Sequence, residues 1–118
     1  MLFDLNGNQM TYIPHKRDYD AWRARISDGD YDRAVEAIRE YMADKDVFTS
    51  SYIPGPDWTD TPYQPLYHAC GQSVQQSGFF FGLIVWIIVM NDDETWLFKP
   101  SDKEADDPLG MTYWRRNH

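Results

Sequence analysis

The side chains in this sequence that could act in catalysis or hold a metal are few and widely spaced. His68 and Cys70, two positions apart, would serve as a base and a thiol or as two zinc ligands. A spacing of two puts side chains on opposite faces of a strand and about 200° apart on a helix, and zinc would need further ligands, which only the distant His15 and His118 offer. We therefore expect Cys70 to be a small buried side chain.

Alternating acids offer a second possible site. Asp28, Asp30 and Asp32 follow one another as the first ligands of a calcium loop do, but Arg33 stands where that loop needs glycine and Arg39 where it needs its last acid. Acids in the first turn of a helix explain the pattern better, because they interact favourably with the positive end of the helix dipole.

The sequence predicts no metal site and no cofactor. It also lacks a phosphate loop, a nucleophile elbow, paired metal-binding histidines and a C-x-x-C motif, which favours a binding protein over an enzyme.

Aromatic rings and carboxylates are concentrated in residues 52–67, where prolines disfavour a long helix or a central strand. Ring faces attract cations, and neighbouring carboxylates add Coulomb attraction, so such a surface suits a basic peptide, a protein partner or an organic cation. Two alternatives stay open, in which the rings close the core as a lid, or two acids beside a tryptophan do acid–base work on a sugar or nucleotide. The predicted binding residues are Tyr52, Asp57, Trp58, Asp60, Tyr63 and Tyr67.

Composition limits the partners. The 118 residues include 19 acidic and 11 basic side chains, for a formal net charge of -8, and 16% of them are aromatic. Excess negative charge disfavours non-specific attraction to nucleic acid or to an anionic membrane, and we expect neither as a partner. The aromatic share exceeds the needs of one core of this size, which predicts exposed rings and a homodimer.

Length and cysteine usage predict one cytoplasmic domain over residues 1–118. The single cysteine, Cys70, cannot form an internal disulfide, and no basic-then-apolar signal segment precedes the first strand, so the cytoplasm is the expected compartment.

The longest element is an apolar run over residues 78–90, which contains no charged side chain. It is shorter than the roughly 20 apolar residues that a membrane-spanning helix needs, and charged or polar residues flank it. We predict a buried central helix over 73–90, capped by Ser73. The alternative is a helix that ends near Phe81 and a strand from Leu83, because β-branched residues dominate the second half of the run.

Strand patterns occur at both ends of the chain. Asn6-Gly7 predicts a tight turn between strands at residues 2–5 and 10–13, and two further strands are predicted at 95–99 and 111–116. Together with the helices, these hairpins predict an α+β domain with an antiparallel sheet of about four strands packed on two to four helices.

Two further helices are predicted between the first hairpin and the proline-rich stretch. The first begins at Asp18 as its cap and buries one aromatic stripe that includes Trp22. The second has the clearest helical periodicity, over residues 31–42, and is expected to be capped by Asp28 or Asp30. Residues 47–65 are predicted to be a loop, with a short helical turn after it.

Four short segments of the sequence are Pro62-Tyr63-Gln64-Pro65, Ala69-Cys70-Gly71-Gln72, Gly82-Leu83-Ile84-Val85 and Gly110-Met111-Thr112-Tyr113. These segments resemble those of small orphan proteins encoded on mobile DNA, such as integron gene cassettes and phage accessory genes. The resemblance implies a compact, self-standing protein that binds a host or competitor macromolecule, and it assigns no functional residue.

The function that follows is a non-enzymatic binding or adaptor protein that uses the acidic, aromatic surface of residues 52–67. One alternative is a pocket for a small organic cation, or an enzyme. Another is an acidic nucleic-acid mimic that inhibits a DNA-binding protein. The mimic is the weakest of these, because Arg33 and Arg39 interrupt the acids of the second helix, whereas a mimic needs a continuous anionic stripe.

Overall fold

The computed structural model describes residues 1–49, 61–100 and 111–116, which form four helices and five strands. The predicted α+β class is confirmed. In chain order the elements are β1 (Leu2–Phe3), β2 (Gln9–Met10), α1 (Lys16–Arg23), α2 (Asp28–Ala43), β3 (Val47–Thr49), α3 (Gln64–Ala69), α4 (Val74–Met90), β4 (Trp96–Pro100) and β5 (Met111–Arg115).

Helix α4 is the central element of the core, as predicted. The side chain of Ser73 caps it by accepting a hydrogen bond from the Gln76 N–H at 3.2 Å, and the helix then continues without a break. Leu83, Ile84 and Val89 are 0% exposed. The alternative of a helix that ends near Phe81 and a strand from Leu83 is wrong. A single helix of 17 residues begins after the Ser73 cap and ends at Met90, and few strands reach that length. Of the helices in the described ranges, none combines the length and apolarity needed to cross a bilayer.

The sheet has five strands in the order β2-β1-β4-β5-β3 and is mixed, since β1 pairs with β4 in parallel and all other pairs are antiparallel. This corrects the prediction of about four antiparallel strands. The additional strand, β3, has three residues within the predicted loop. It forms because Phe48 pairs with Tyr113 of β5 and stacks on its ring, with centroids 5.2 Å apart. Local sequence pattern carries no information about that partner.

The two faces of the sheet differ in burial. The face toward the helices carries Leu2, Trp96 and Tyr113, all 0% exposed. The opposite face carries an apolar row across four strands, joined by the pairs Phe3 with Leu97, Leu97 with Trp114, and Trp114 with Val47. These four side chains, which we call the outer row, are partly or largely exposed, with Val47 at 50%.

Several predicted boundaries change. Helix α1 begins at Lys16, after His15 with a φ of 53°, so Asp18 lies in its first turn and is not the cap. Helix α2 is capped by Ser27, whose Oγ accepts the Asp30 N–H at 3.2 Å, so neither Asp28 nor Asp30 is its cap. The first-turn position of the acids suits the helix dipole in both cases.

Strand β2 ends at Met10 and does not continue to residue 13. The Tyr12 carbonyl instead accepts a hydrogen bond from the Trp86 indole N–H at 3.0 Å, so a tertiary contact replaces the extended ladder. The predicted helical turn after the loop is α3, which begins at Gln64, and Pro65 lies at its first positions, where a missing N–H costs nothing.

Candidate functional site

His68 and Cys70 do not form a reactive pair. Cys70 is 2% exposed, and burial raises the pKa of its thiol to about 11, although a hydrogen bond with Ser77 and the charge of Arg25 act in the opposite direction. His68 is exposed on the surface of α3. A thiol that stays protonated and buried is a poor nucleophile and a poor metal ligand. In the described parts of the chain, no three His, Cys, Asp or Glu side chains come together as a metal site would require.

Of the predicted binding residues, only Tyr63 and Tyr67 belong to the part of the chain that the structure describes. Tyr63 is 8% exposed, and its ring meets that of Phe81 edge-on with centroids 5.1 Å apart, so this ring contributes to the core. Tyr67 is partly buried and packs against the core from α3. The other four predicted residues, Tyr52, Asp57, Trp58 and Asp60, lie outside the described residues.

Polar contacts hold α1 against α2 and thereby set the surfaces beside them. The Tyr19 and Tyr31 hydroxyls are hydrogen-bonded at 2.7 Å. Arg23 lies over the Tyr31 ring at 4.2 Å and pairs with Asp28 at 2.6 Å. Burial first, and the bond with Tyr19 second, raise the pKa of Tyr31 above its ordinary value. The phenol therefore stays neutral at physiological pH, and the junction between the two helices keeps its geometry.

A groove of about 330 Å³ lies where α1 passes the start of α4; we call it the α1–α4 groove. Its side chains come from an i,i+4 pair on each helix, which places both members of a pair on one face. On α1 these are Asp18 and Trp22, and on α4 they are Gln75 and Phe79, with Gln76 beside them. The Trp22 and Phe79 ring centroids are 6.1 Å apart, and the ring planes meet at 68°. Both rings are partly exposed, so they form a corner that is open to solvent.

The electrostatics of the α1–α4 groove favour a positive charge. Asp18 is exposed and forms no ion pair with any described residue. Within the described ranges the Lys and Arg side chains that lie over rings lie over four others, those of Tyr31, Tyr41, Trp96 and Trp114, while the His15 ring meets the Phe79 ring at a steep angle with centroids 5.0 Å apart. A carboxylate with no ion-pair partner among the described residues, beside two partly exposed rings, is the composition of a cation site.

A second and larger concavity, of about 410 Å³, lies between the start of α2 and α3; we call it the α2–α3 cleft. Its polar side chains are those of Arg25, Ser27, Asp30, Arg33, Thr61, Gln64 and His68. Ile26, Pro62 and Pro65 supply its apolar wall. It therefore has the opposite character to the α1–α4 groove, because basic side chains outnumber acids in its lining.

A smaller concavity of about 230 Å³ beside Arg115 is part of the framework. The Arg115 guanidinium pairs with Glu94 at 2.9 Å, donates to the Met42 carbonyl at 2.9 Å and lies over the Trp96 ring at 4.8 Å. These contacts join the end of α2 to the sheet, so the partly buried arginine has a structural role that requires no ligand.

Sequence reasoning assigned the groove residues to other roles. Asp18 was expected to be a cap and Trp22 a core ring, and Phe79 belongs to the apolar run. The sequence feature that could have indicated this groove is the spacing of four residues between Asp18 and Trp22 on one helix. The approach of Phe79 to that pair depends on the packing of α1 against α4, which no local pattern predicts.

Comparisons of this chain with protein-family models, with curated proteins and with solved structures give no match.

Proposed function

We propose that this chain is a non-enzymatic binding protein that captures a positively charged group in the α1–α4 groove. The observation that carries the proposal is the meeting of the Asp18 carboxylate with the partly exposed rings of Trp22 and Phe79 in one groove of about 330 Å³. The formal net charge of -8 adds long-range attraction for a cation. The thiol of Cys70 is buried, and burial raises its pKa, which supports binding over catalysis.

The expected affinity of a simple cation follows from the groups in the groove. Each cation–ring contact at an exposed site contributes about 0.5–1 kcal/mol. A carboxylate about 4 Å away adds about 1 kcal/mol at the dielectric of water. Two rings and one acid therefore give about 2–3 kcal/mol, which an uncharged molecule of the same shape lacks. That difference corresponds to a preference of about 30-fold to 150-fold.

Two sources of the charge fit this chemistry, a small organic cation and a basic side chain of a protein partner. The binding surface proposed over residues 52–67 has the same chemistry and stays a prediction for Tyr52, Asp57, Trp58 and Asp60. The proposal for the groove does not depend on them.

The test is a titration of the protein with tetramethylammonium, followed by amide and indole NMR shifts. Tert-butanol is the uncharged control of similar shape. We expect saturable shifts centred on Trp22, Gln75 and Phe79 with tetramethylammonium, and at least about tenfold weaker binding of tert-butanol. A short lysine peptide in a parallel titration distinguishes the two sources, since a protein-partner site binds it at least as well as tetramethylammonium.

Matched variants identify the groups responsible. Asp18→Asn keeps the shape of the side chain and removes the charge, so affinity should fall about fivefold. Phe79→Leu keeps an apolar side chain and removes the ring, with a loss of about twofold to fivefold. Asp32→Asn removes one exposed charge on α2 and should leave affinity unchanged. Equal losses in Asp18→Asn and Asp32→Asn, or equal binding of tert-butanol, would refute the proposal.

We further propose that two copies of the chain associate through the outer row of the sheet. Exposed apolar side chains in register across four strands support this, because such a row buries apolar area when two sheets face each other. Leu97→Lys should reduce the dimer fraction in sedimentation velocity, whereas Val74→Lys, at an exposed valine on α4, should not. A wild-type chain that sediments as a monomer at all concentrations rules out the dimer.

A further inference from the structure

The α2–α3 cleft brings together basic side chains that are anchored on one side and open on the other. The Arg25 guanidinium donates one hydrogen bond to the Ala69 carbonyl at 3.3 Å, and Arg33 pairs with Asp30 at 2.5 Å. A guanidinium has five N–H groups, so each arginine keeps further donors that can face the cleft. The Arg33 side chain is 74% exposed, and Arg25 is exposed as well, so ligands can reach both.

The rest of the lining is suited to hydroxyl groups. Ser27 and Thr61 contribute hydroxyls, whose oxygens accept the Asp30 and Tyr63 backbone N–H groups at 3.2 Å. Gln64 contributes an amide 3.4 Å from the ring nitrogen of His68, and Asp30 a carboxylate that pairs with Arg33. Hydroxyls both donate and accept, and they pair well with a wall that offers donors and acceptors side by side. The rings of Pro62 and Pro65 give the cleft an apolar side against which C–H groups can pack. A volume of about 410 Å³ suits one small molecule.

We infer that the α2–α3 cleft binds a small hydroxylated organic anion, of the size of a sugar acid or a sugar phosphate. Arg25 and Arg33 hold the anionic group, because a guanidinium fork matches the two oxygens of a carboxylate or phosphate. Asp30, Ser27 and Gln64 face the hydroxyls of the ligand. The cleft is separate from the α1–α4 groove, and neither site depends on the other.

Charge balance within the cleft determines which end of the ligand binds where. Two arginines against one aspartate leave a positive excess at the cleft, in a protein whose total charge is -8. An anion in the cleft contacts the arginines directly, through short bidentate hydrogen bonds. The repulsion between that anion and the distant acids of the protein is screened at physiological salt. Asp30 pairs with Arg33 and repels a second anionic group in the cleft, so the ligand carries a single negative charge, held by the remaining guanidinium donors, and neutral hydroxyls at its other end.

The test is isothermal titration of the protein with gluconate and with glucose 6-phosphate, with uncharged glucose as the control. We expect at least one anion to bind with a dissociation constant of about 1 mM or tighter, and glucose to bind at least about tenfold more weakly. The stronger of the two anions identifies the anionic group as carboxylate or phosphate. Failure of both anions to bind at about 10 mM, or equal binding of glucose, overturns the inference.

Single variants assign the binding to the two arginines. Arg25→Gln and Arg33→Gln should each weaken anion binding about tenfold, as expected for the loss of a charged hydrogen bond. Arg33→Gln carries the test if Arg25→Gln fails to fold, because within residues 1–49, 61–100 and 111–116 the Arg33 side chain is exposed and pairs with Asp30 of its own helix. Arg17→Gln, at an exposed arginine outside the cleft, should change affinity less than twofold. Asp18→Asn should also leave it unchanged, which separates this site from the groove. A loss with Arg17→Gln equal to that with Arg33→Gln contradicts the inference.

Discussion

Replacing Val89 by alanine tests whether α4 is packed as tightly as its burial indicates. Val89 is 0% exposed near the end of α4, whereas Val74 at the start of the same helix is 40% exposed. The two valines allow the same chemical change in one helix at opposite extremes of burial. Alanine gains about 0.5 kcal/mol of helix propensity over valine inside a helix, as at Val89, and at most that at Val74, the first residue of α4.

The size of the effect follows from burial. Valine to alanine removes the equivalent of two methylene groups, which cost about 1.6 kcal/mol at about 0.8 kcal/mol each. A small unfilled cavity adds about 0.5–1 kcal/mol. After the propensity gain, Val89→Ala should lower the free energy of unfolding by about 2 kcal/mol, while Val74→Ala should change it by less than about 0.5 kcal/mol. For a domain of this length, about 2 kcal/mol corresponds to a fall in Tm of about 8 °C.

Urea denaturation followed by circular dichroism measures both variants. Unchanged m-values would show that the midpoint shifts report stability and not a change in the unfolded state. If Val89→Ala and Val74→Ala differ by less than about 0.5 kcal/mol, α4 is not the tightly packed centre of the fold. The geometry of the α1–α4 groove would then lose its support, because Phe79 is positioned by this helix.

Three further outcomes follow from local contacts. Ser27→Ala removes the cap of α2 and should lower the free energy of unfolding by about 1 kcal/mol in urea, whereas Ser27→Asp should restore most of it. Tyr113→Phe should raise Tm, because the buried Tyr113 hydroxyl has no hydrogen-bond partner among the described residues; a fall in Tm would mean that the hydroxyl is satisfied. Burial raises the pKa of Cys70 to about 11 from 9.0, so its contribution to stability is complete below pH 9 and is lost as pH rises toward 11. Cys70→Ala should flatten that alkaline decline, and rapid alkylation of native Cys70 at pH 8 would contradict its burial.

Elements with a strong local signal were predictable. The central helix followed from Ser73 and the uninterrupted apolar run, and the periodicity of α2 from apolar side chains at helical spacing. Boundaries were less predictable where a tertiary contact competes with a local preference. The strand of Met10 does not continue to residue 13, because the Tyr12 carbonyl accepts the Trp86 indole N–H. Strand β3 forms because Phe48 has Tyr113 to stack on.

Each candidate site also has a part that the sequence predicts and a part that only tertiary packing decides. That Asp18 and Trp22 share a helix face follows from their spacing alone. That Phe79 joins them in the groove proposed to bind a cation does not, since it depends on the angle and distance at which α1 crosses α4. In the α2–α3 cleft, Arg25 and His68 are far apart in sequence and come together only because α3 packs beside the start of α2.

By itself the sequence determined the α+β class, the buried helix and a chemical character of acids and rings suited to cations, since each of these depends on residue type and on spacing within a few turns. The tertiary structure alone decided the strand order, the parallel pairing of β1 with β4 and the identity of the side chains that meet in each concavity. The physical reason is the distance along the chain over which each interaction acts. Propensity and amphipathic period act over neighbouring residues, whereas a binding site is made by packing elements that are distant in the chain.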